Sequence, residues 1–207
     1  MPRAKIGDAY AVKVPNGYKI IQWAYHIERY GRFIRVFDGL YDTIPDHIAW
    51  IVAGEHSYVT DLFVGRAYRI GLLQWLGNFP VPEKYPVPEY RLEFCRDRHG
   101  DVYQINIENT PARKEGRFWG KFPVSSIDEL PEEFRNVKLL SDCVSPDWLL
   151  YLFDNGFDLR KPDIFNPRKH WGENWEETYQ IYIDMVDTAW EADKAKRNRK
   201  KLKESYK

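Results

Sequence analysis

Short apolar segments that recur at close spacing are the feature that most constrains the fold of this chain. Through the first hundred or so residues they are rich in Val, Ile, Tyr, Phe and Trp, and turn residues separate them. Parallel βαβ units would need a helical pattern of about 10 to 15 residues between strands, and the sequence has none there. We therefore expect a twisted antiparallel β-sheet or small barrel. The predicted strands are 8–14, 18–27, 32–37, 48–52, 68–76, 90–95 and 102–107.

Two turn signals separate neighbouring segments. Asn16 and Gly17 stand between the first two, and both residue types tolerate the positive φ that tight hairpins require. The tetrad DRHG at 97–100 separates the last two segments and is also expected to be a turn. The first pair is therefore predicted to be an antiparallel hairpin.

A proline-rich segment at 79–88 follows the fifth predicted strand. Its four prolines remove backbone donors and hold the chain extended. Val81, Tyr85 and Val87 lie between them and offer apolar contacts, which favours a strap packed across the sheet. A proline-rich docking motif is the alternative.

Helical signals begin after about residue 125. Ser126 and Glu129 fit a capping box, and Pro131 would interrupt or end that short helix. The triplet SPD at 145–147 is a favourable helix start, and NG at 155–156 is a stop signal.

The last helix has the clearest pattern in the sequence. Asn174 is the predicted N-cap, and Glu177 completes a capping box. An apolar stripe at steps of three and four must be buried. It consists of Trp175, Tyr179, Tyr182, Val186, Ala189 and Trp190. From Lys194 onward, any continuation of the helix would be polar all round and is expected to fray.

These patterns predict an α+β fold with C-terminal helices packed on the N-terminal sheet. We expect a β-rich domain at 1–124. Residues 125–207 would form a helical extension on the same core, ending in a basic exposed tail.

The net charge of zero conceals three regions of different charge. Residues 1–124 hold 17 Lys and Arg against 14 Asp and Glu, a net charge of +3. Residues 125–190 hold 6 against 14 (−8), and residues 191–207 hold 8 against 3 (+5). Such local fields govern association with charged partners rather than the fold. The acidic region is as consistent with a merely solvated face as with a binding surface.

No pattern of catalytic or metal-binding residues stands out. The five histidines show no HExxH, no HxH and no pairing with cysteine at metal-ligand spacing, and the glycines form no phosphate-binding loop. Cys95 and Cys143 are expected to be free buried thiols. We therefore predict a protein that is not an enzyme and needs no cofactor or metal.

The chain shows no signal for a membrane or secretion. It has no apolar run near the roughly 20 residues that span a bilayer, and its start lacks a secretory signal, so a cytoplasmic location is expected. The basic tail at 194–203 could contact nucleic acid through phosphate. A solvated helix end is the favoured alternative, because no aromatic residue is interleaved and no base-reading motif precedes it. No direct nucleic-acid contact is therefore expected.

Three segments carry a resemblance to a known family. KIGDAYAV at 5–12, PNGY at 15–18 and GLLQWLGN at 71–78 followed by Pro80 resemble the β region of the Imm26-like immunity family of bacterial polymorphic-toxin and contact-dependent growth inhibition systems. The resemblance covers about residues 5–110. It implies a non-enzymatic protein that binds and neutralises one cognate toxin domain, and many such toxins are nucleases or other enzymes with basic clefts. It leaves open whether the partner contacts the sheet, the helices or both.

An acidic surface would complement a basic toxin cleft, because opposite fields speed encounter and help exclude wrong partners. The partner-binding candidates are the carboxylates of the acidic region. They are Asp128, Glu129, Glu132, Glu133, Asp154, Asp158, Glu173, Glu176 and Glu177. The alternative is a small-molecule-binding barrel or an enzyme with a pocket lined by Trp23, Trp50 and Trp75.

Overall fold

The computed structural model of the 207-residue chain describes most of its N-terminal half and the C-terminal helices. The described residues are 4–27, 31–61, 64–88, 90–97, 100–107, 121–122, 132, 135, 139–140, 146–155 and 174–205. The short helix expected after Ser126 lies outside these ranges.

Nine strands and four helices make up the described structure. The strands are β1 Asp8–Val14, β2 Gly17–Ile27, β3 Gly31–Val36, β4 Tyr58–Asp61, β5 Leu73–Asn78, β6 Tyr90–Asp97, β7 Gly100–Ile107, β8 Lys121–Phe122 and β9 Leu139–Leu140. The helices are α1 Ala49–Ala53, α2 Val64–Arg69, α3 Pro146–Asn155 and α4 Trp175–Ser205.

The strands form one sheet in the order β5-β1-β2-β3-β4-β9-β6-β7-β8. The first five are antiparallel, and β9 joins β4 and β6 as a parallel strand. The α+β class is therefore confirmed. The order has two ends, β5 and β8, so among the described strands the sheet is open and not a closed barrel. Because β9 lies at 139–140, the region after residue 124 contributes a strand as well as helices.

The predicted hairpins are present. Val14 pairs with Gly17, so the first turn has only Pro15 and Asn16 between its strands. Asp97 pairs with Gly100 in the second, which leaves two residues between β6 and β7. Gly17 has a φ of +143°, and a Cβ there would lie 2.4 Å from the carbonyl oxygen of Tyr41. The close approach of these two backbones therefore requires glycine.

Two predicted strands are wrong in whole or in part. Residues 49–52 belong to helix α1 and not to a strand, and Ile48 directly precedes the helix. Ile48, Ile51 and Val52 are buried at helical spacing, and Trp50 is exposed. The first part of the predicted strand 68–76 ends helix α2, and only β5 from Leu73 is extended. Strand β4 was not predicted.

The sheet separates two apolar layers. On one face the helix-side core joins alternate residues of β1, β2 and β3 to buried residues of α2, α3 and α4. Tyr10, Val12 and Val14 point into it, whereas Ala9 and Ala11 point to the opposite face. There they meet Phe37 and the buried side of α1. This alternation follows from the two-residue period of a strand.

The proline-rich segment packs on the face opposite α3 and α4, as predicted for a strap. Val81 and Val87 contact a cluster of Ala24, Tyr25, Phe33 and Val59. The β2–β3 register shifts between Trp23 and Tyr25, and this bulge puts the Tyr25 ring on the strap side. The Tyr25 hydroxyl donates to the Tyr85 carbonyl at 3.1 Å, which fastens the strap.

The two C-terminal helices begin near the predicted residues. Helix α3 runs from Pro146 to Asn155, and α4 begins at Trp175, directly after Asn174. Tyr182 and Val186 of the α4 stripe are buried in the helix-side core, while Tyr179, Ala189 and Trp190 pack against it. The helix does not end near Lys194 but continues to Ser205.

Candidate protein-interaction surface

The acidic residues predicted to bind a partner fall into three groups. Asp128, Glu129, Glu133, Asp158 and Glu173 lie outside the described residues. Glu132, Glu176 and Glu177 are exposed, the last two in the first turn of α4. Asp154 is partly buried inside the molecule. The described members therefore do not form one continuous surface.

Asp154 connects three elements of the fold through hydrogen bonds. Its Oδ2 accepts hydrogen bonds from the Tyr182 hydroxyl at 2.7 Å and from Asn16 Nδ2 at 2.9 Å. This joins α3, α4 and the first hairpin. Its Oδ1 is buried and accepts no hydrogen bond from the described residues. The position of Asp154 favours a structural role over partner binding.

A second tyrosine–carboxylate pair joins the same two helices. The Tyr179 hydroxyl donates to Asp147 Oδ2, near the start of α3. The Tyr151 ring lies edge-on between the rings of Tyr179 and Tyr182, at 5.6 and 5.1 Å. Burial raises the pKa of Tyr151 to about 12, so its hydroxyl stays protonated over the ordinary pH range.

The outer face of α4 carries a stripe of exposed acidic residues. Seven exposed residues recur at steps of one, three and four, on the side opposite Tyr182 and Val186. We call them the acidic face, and they are Glu177, Gln180, Ile181, Asp184, Asp187, Thr188 and Glu191. Ile181 is 50% exposed although α4 buries other apolar residues. Ile181 thus stands on the acidic face between Glu177 and Asp184, with half of its surface exposed.

Sequence reasoning found only Glu177 of these carboxylates. Asp184, Asp187 and Glu191 are not distinguished by a charge count along the chain, because such a count does not say which side of a helix each residue occupies. The signal was present in the sequence, since these residues follow Glu177 at +7, +10 and +14, the spacing that keeps residues on one side of a helix.

Helix α4 is acidic in its N-terminal part and basic in its C-terminal part. Residues 175–193 hold six carboxylates and no Lys or Arg, whereas residues 194–205 hold seven Lys and Arg and one Glu. This order matches the helix macrodipole, which favours acids near the N-terminus and cations near the C-terminus. It helps to explain why the helix continues to Ser205 without an apolar stripe in its last part.

A buried arginine lies beneath the strap. The Arg35 guanidinium is fully buried, and Nη1 donates to Gln22 Oε1 and to the Val52 carbonyl, both at 2.9 Å. Nη2 donates to the Gly54 carbonyl at 2.7 Å, and Nε donates to His56 Nδ1 at 3.2 Å. Burial lowers the pKa of Arg35 from its usual value.

The contacts of Arg35 give it a structural role. The Tyr85 ring lies 4.4 Å from its Cζ and covers it on the strap side. Gln22 extends this hydrogen-bond network to the strap, because its Nε2 donates to the Phe79 carbonyl at 2.9 Å. The guanidinium thus ties α1, β2 and the strap together and is not accessible to a substrate.

The Asp8 carboxylate forms a second internal network. It accepts hydrogen bonds from the Lys5 backbone amide at 2.8 Å, from Asn78 Nδ2 at 3.0 Å and from Trp75 Nε1 at 3.3 Å. Gly7 beside it has a φ of +95°. The KIGD segment is therefore a structural turn that anchors the edge strand β5.

The three tryptophans of the alternative hypothesis do not line one buried pocket. Trp23 is buried in the helix-side core, and its Nε1 donates to the Tyr25 carbonyl at 2.9 Å. Trp50 and Trp75 are 67% and 51% exposed. This arrangement gives the pocket hypothesis no support.

Within the described ranges, no group of three or more metal-ligating side chains comes together. In the same part of the chain, no helix has both the length and the apolar character that a bilayer crossing requires. Comparison with protein-family models, with curated proteins and with solved structures gives no match for this chain.

Proposed function

We propose that this chain is an immunity-type protein that binds a cognate toxin domain in the bacterial cytoplasm through the acidic face of α4. The observation that carries the proposal is the exposed Ile181 within a stripe of carboxylates. The family resemblance of the N-terminal segments supports the class of protein. The geometry adds a candidate for the contact surface.

The acidic face has the composition of an interface that uses both charge and apolar contact. A half-exposed Ile181 can be buried by a partner, and the carboxylates along the same face, of which Glu177 and Asp184 are nearest to it, can steer a basic partner to the site. Residues 175–193 contain no Lys or Arg, and Lys194 pairs with Glu191 at the C-terminal end of the face, which leaves Glu177, Asp184 and Asp187 to carry the field. The partner best suited to it is a toxin domain with a basic cleft.

The role proposed is inhibition by binding and not catalysis. The buried polar groups of Arg35 and Asp8 are satisfied by the chain itself. An inhibitor of this kind acts by covering a surface, so its activity should follow the affinity of the complex.

The test is a binding experiment with the product of the gene next to the one that encodes this chain. Both proteins are produced and purified separately, and their association rate is measured at low salt and at about 0.5 M NaCl. We expect the double variant Asp184→Lys/Asp187→Lys to associate about tenfold or more slowly at low salt. The same variant should lose protection when both genes are expressed in growing cells.

A matched control makes the same change of charge elsewhere. Asp42 and Asp46 are exposed in the segment between β3 and α1, whose Tyr41 and Ile44 pack on the face of the sheet opposite α4. The variant Asp42→Lys/Asp46→Lys should associate and protect nearly as the parent does. Equal effects of both double variants would contradict the acidic face as the contact surface.

A further inference from the structure

The basic end of α4 is a continuous helix whose cations surround a narrow uncharged strip. Residues 194–200 are all helical and exposed. At 100° per residue, Ala195 and Asn198 lie about 60° apart and form a strip on one side of the helix. Lys194 and then Arg197 follow on one flank of this strip, and Arg199 and then Lys196 on the other.

Some of these cations have carboxylate partners and some do not. Lys194 lies 3.3 Å from Glu191, and Arg197 donates to Asp193 at 2.7 Å. Lys196 and Arg199 form no ion pair with the described residues. Their charges are therefore available to an external anion.

The geometry points to double-stranded DNA, and we propose that the end of α4 enters its major groove. The major groove of B-form DNA is about 12 Å wide and admits an α-helix, with a phosphate backbone on each side. Cations on both flanks of an uncharged strip match that arrangement. Asn198, on the strip, would face the base edges.

Other polyanions fit less well. An anionic membrane surface favours a helix with cations on one face and apolar residues on the other. Residues 194–205 contain one large apolar residue, Leu202, too few for an apolar face, and their cations lie on both sides of the strip. The major groove of A-form RNA is too deep and narrow for this contact. The sequence alone favoured a solvated helix end. The continuous helix shows in addition how the cations are arranged around its axis.

The test measures fluorescence anisotropy of a labelled DNA duplex of about 20 base pairs over a range of salt concentrations. The full chain should bind at low salt with a steep salt dependence. Lys196→Gln/Arg199→Gln should weaken binding about tenfold and lower the slope of log K against log salt by about 2, since each phosphate contact contributes about 0.9. Both residues are exposed, so the fold should be retained.

The control removes two exposed cations elsewhere, in Lys13→Gln/Arg69→Gln, and should leave the slope nearly unchanged. No binding by the full chain at low salt would overturn the proposal, as would an equal loss in the control. Stronger binding to vesicles of anionic lipid than to DNA would also overturn it. The immunity-type function is separate, because Asp184→Lys/Asp187→Lys should not weaken DNA binding.

Discussion

Tyr182 of α4 donates a 2.7 Å hydrogen bond to Asp154 of α3 and so fixes the position of the helix that carries the acidic face. Tyr182 is almost completely buried, and the other oxygen of Asp154 accepts no hydrogen bond from the described residues. The carboxylate therefore depends on Tyr182 and Asn16. Together with the Tyr179–Asp147 pair, this contact aligns α3 with α4.

Replacing Tyr182 with Phe removes the donor and leaves a partly buried carboxylate with one partner. We expect the free energy of unfolding to fall by about 1–3 kcal/mol, measured by urea denaturation. Tyr68→Phe is the control, because the Tyr68 ring also packs in the helix-side core but makes no hydrogen bond with described residues. Equal losses in both variants would show that the hydrogen bond to Asp154 contributes little.

Arg35→Lys should destabilise the fold although it keeps the charge. A lysine presents one ammonium group and cannot reach Gln22, Gly54 and His56 together, so buried acceptors lose their donors. We expect a loss of about 2–4 kcal/mol in the free energy of unfolding. Arg32→Lys, at a partly exposed arginine over the Trp23 ring, should cost less than about 1 kcal/mol. A similar cost at both positions would contradict the structural role of Arg35.

Gly7→Ala should be more costly than Gly71→Ala. Both glycines have positive φ, +95° and +85°, so both substitutions carry backbone strain. A Cβ at Gly7 would also lie 2.6 Å from the Phe79 carbonyl oxygen, whereas nothing lies within 4 Å at Gly71. We expect Gly7→Ala to lower the melting temperature by several degrees more. Equal shifts would mean that the KIGD turn moves easily away from the strap.

Stability should decline in alkaline solution as tyrosines ionise. Burial raises the pKa of Tyr151 from 10.0 to about 12, so the unfolded chain releases its proton at lower pH than the folded chain. The folded state then binds more protons, and the free energy of unfolding falls as pH rises through this range. Burial also raises the pKa of Tyr10 and Tyr58. Urea denaturation from about pH 8 to about pH 11.5 should show the decline, and Tyr151→Phe should make it less steep. A flat profile would contradict the burial of these hydroxyls.

The N-terminal sheet and the last helix could be predicted from local patterns. The turn signal at Asn16 and Gly17 predicted the hairpin of β1 and β2, and the stripe from Tyr179 to Trp190 identified the buried side of α4. Local patterns misassigned residues 48–52, because a short apolar run fits a strand or a buried helix equally well. The spacing of Ile48, Ile51 and Val52 was the helical signal.

Long-range contacts could not be derived in this way. Strand β4 has three consecutive buried residues, Tyr58, Val59 and Thr60, and so lacks the alternation of a half-buried strand. Its parallel pairing with β9 joins segments about 80 residues apart. The candidate surface was partly foreseen, since the acidic region was recognised but Asp154 belongs to the interior. Only the course of helix α4 shows that Asp184 and Asp187 lie on its exposed side, whereas Asp154 accepts hydrogen bonds from Tyr182 and Asn16.

The most direct test of the account measures binding of this chain to the product of its neighbouring gene before and after reversal of charge on α4. The account predicts a complex whose association slows about tenfold or more in Asp184→Lys/Asp187→Lys and nearly as much in about 0.5 M NaCl, with Asp42→Lys/Asp46→Lys close to the parent. No complex, or a complex indifferent to charge on α4, would contradict it.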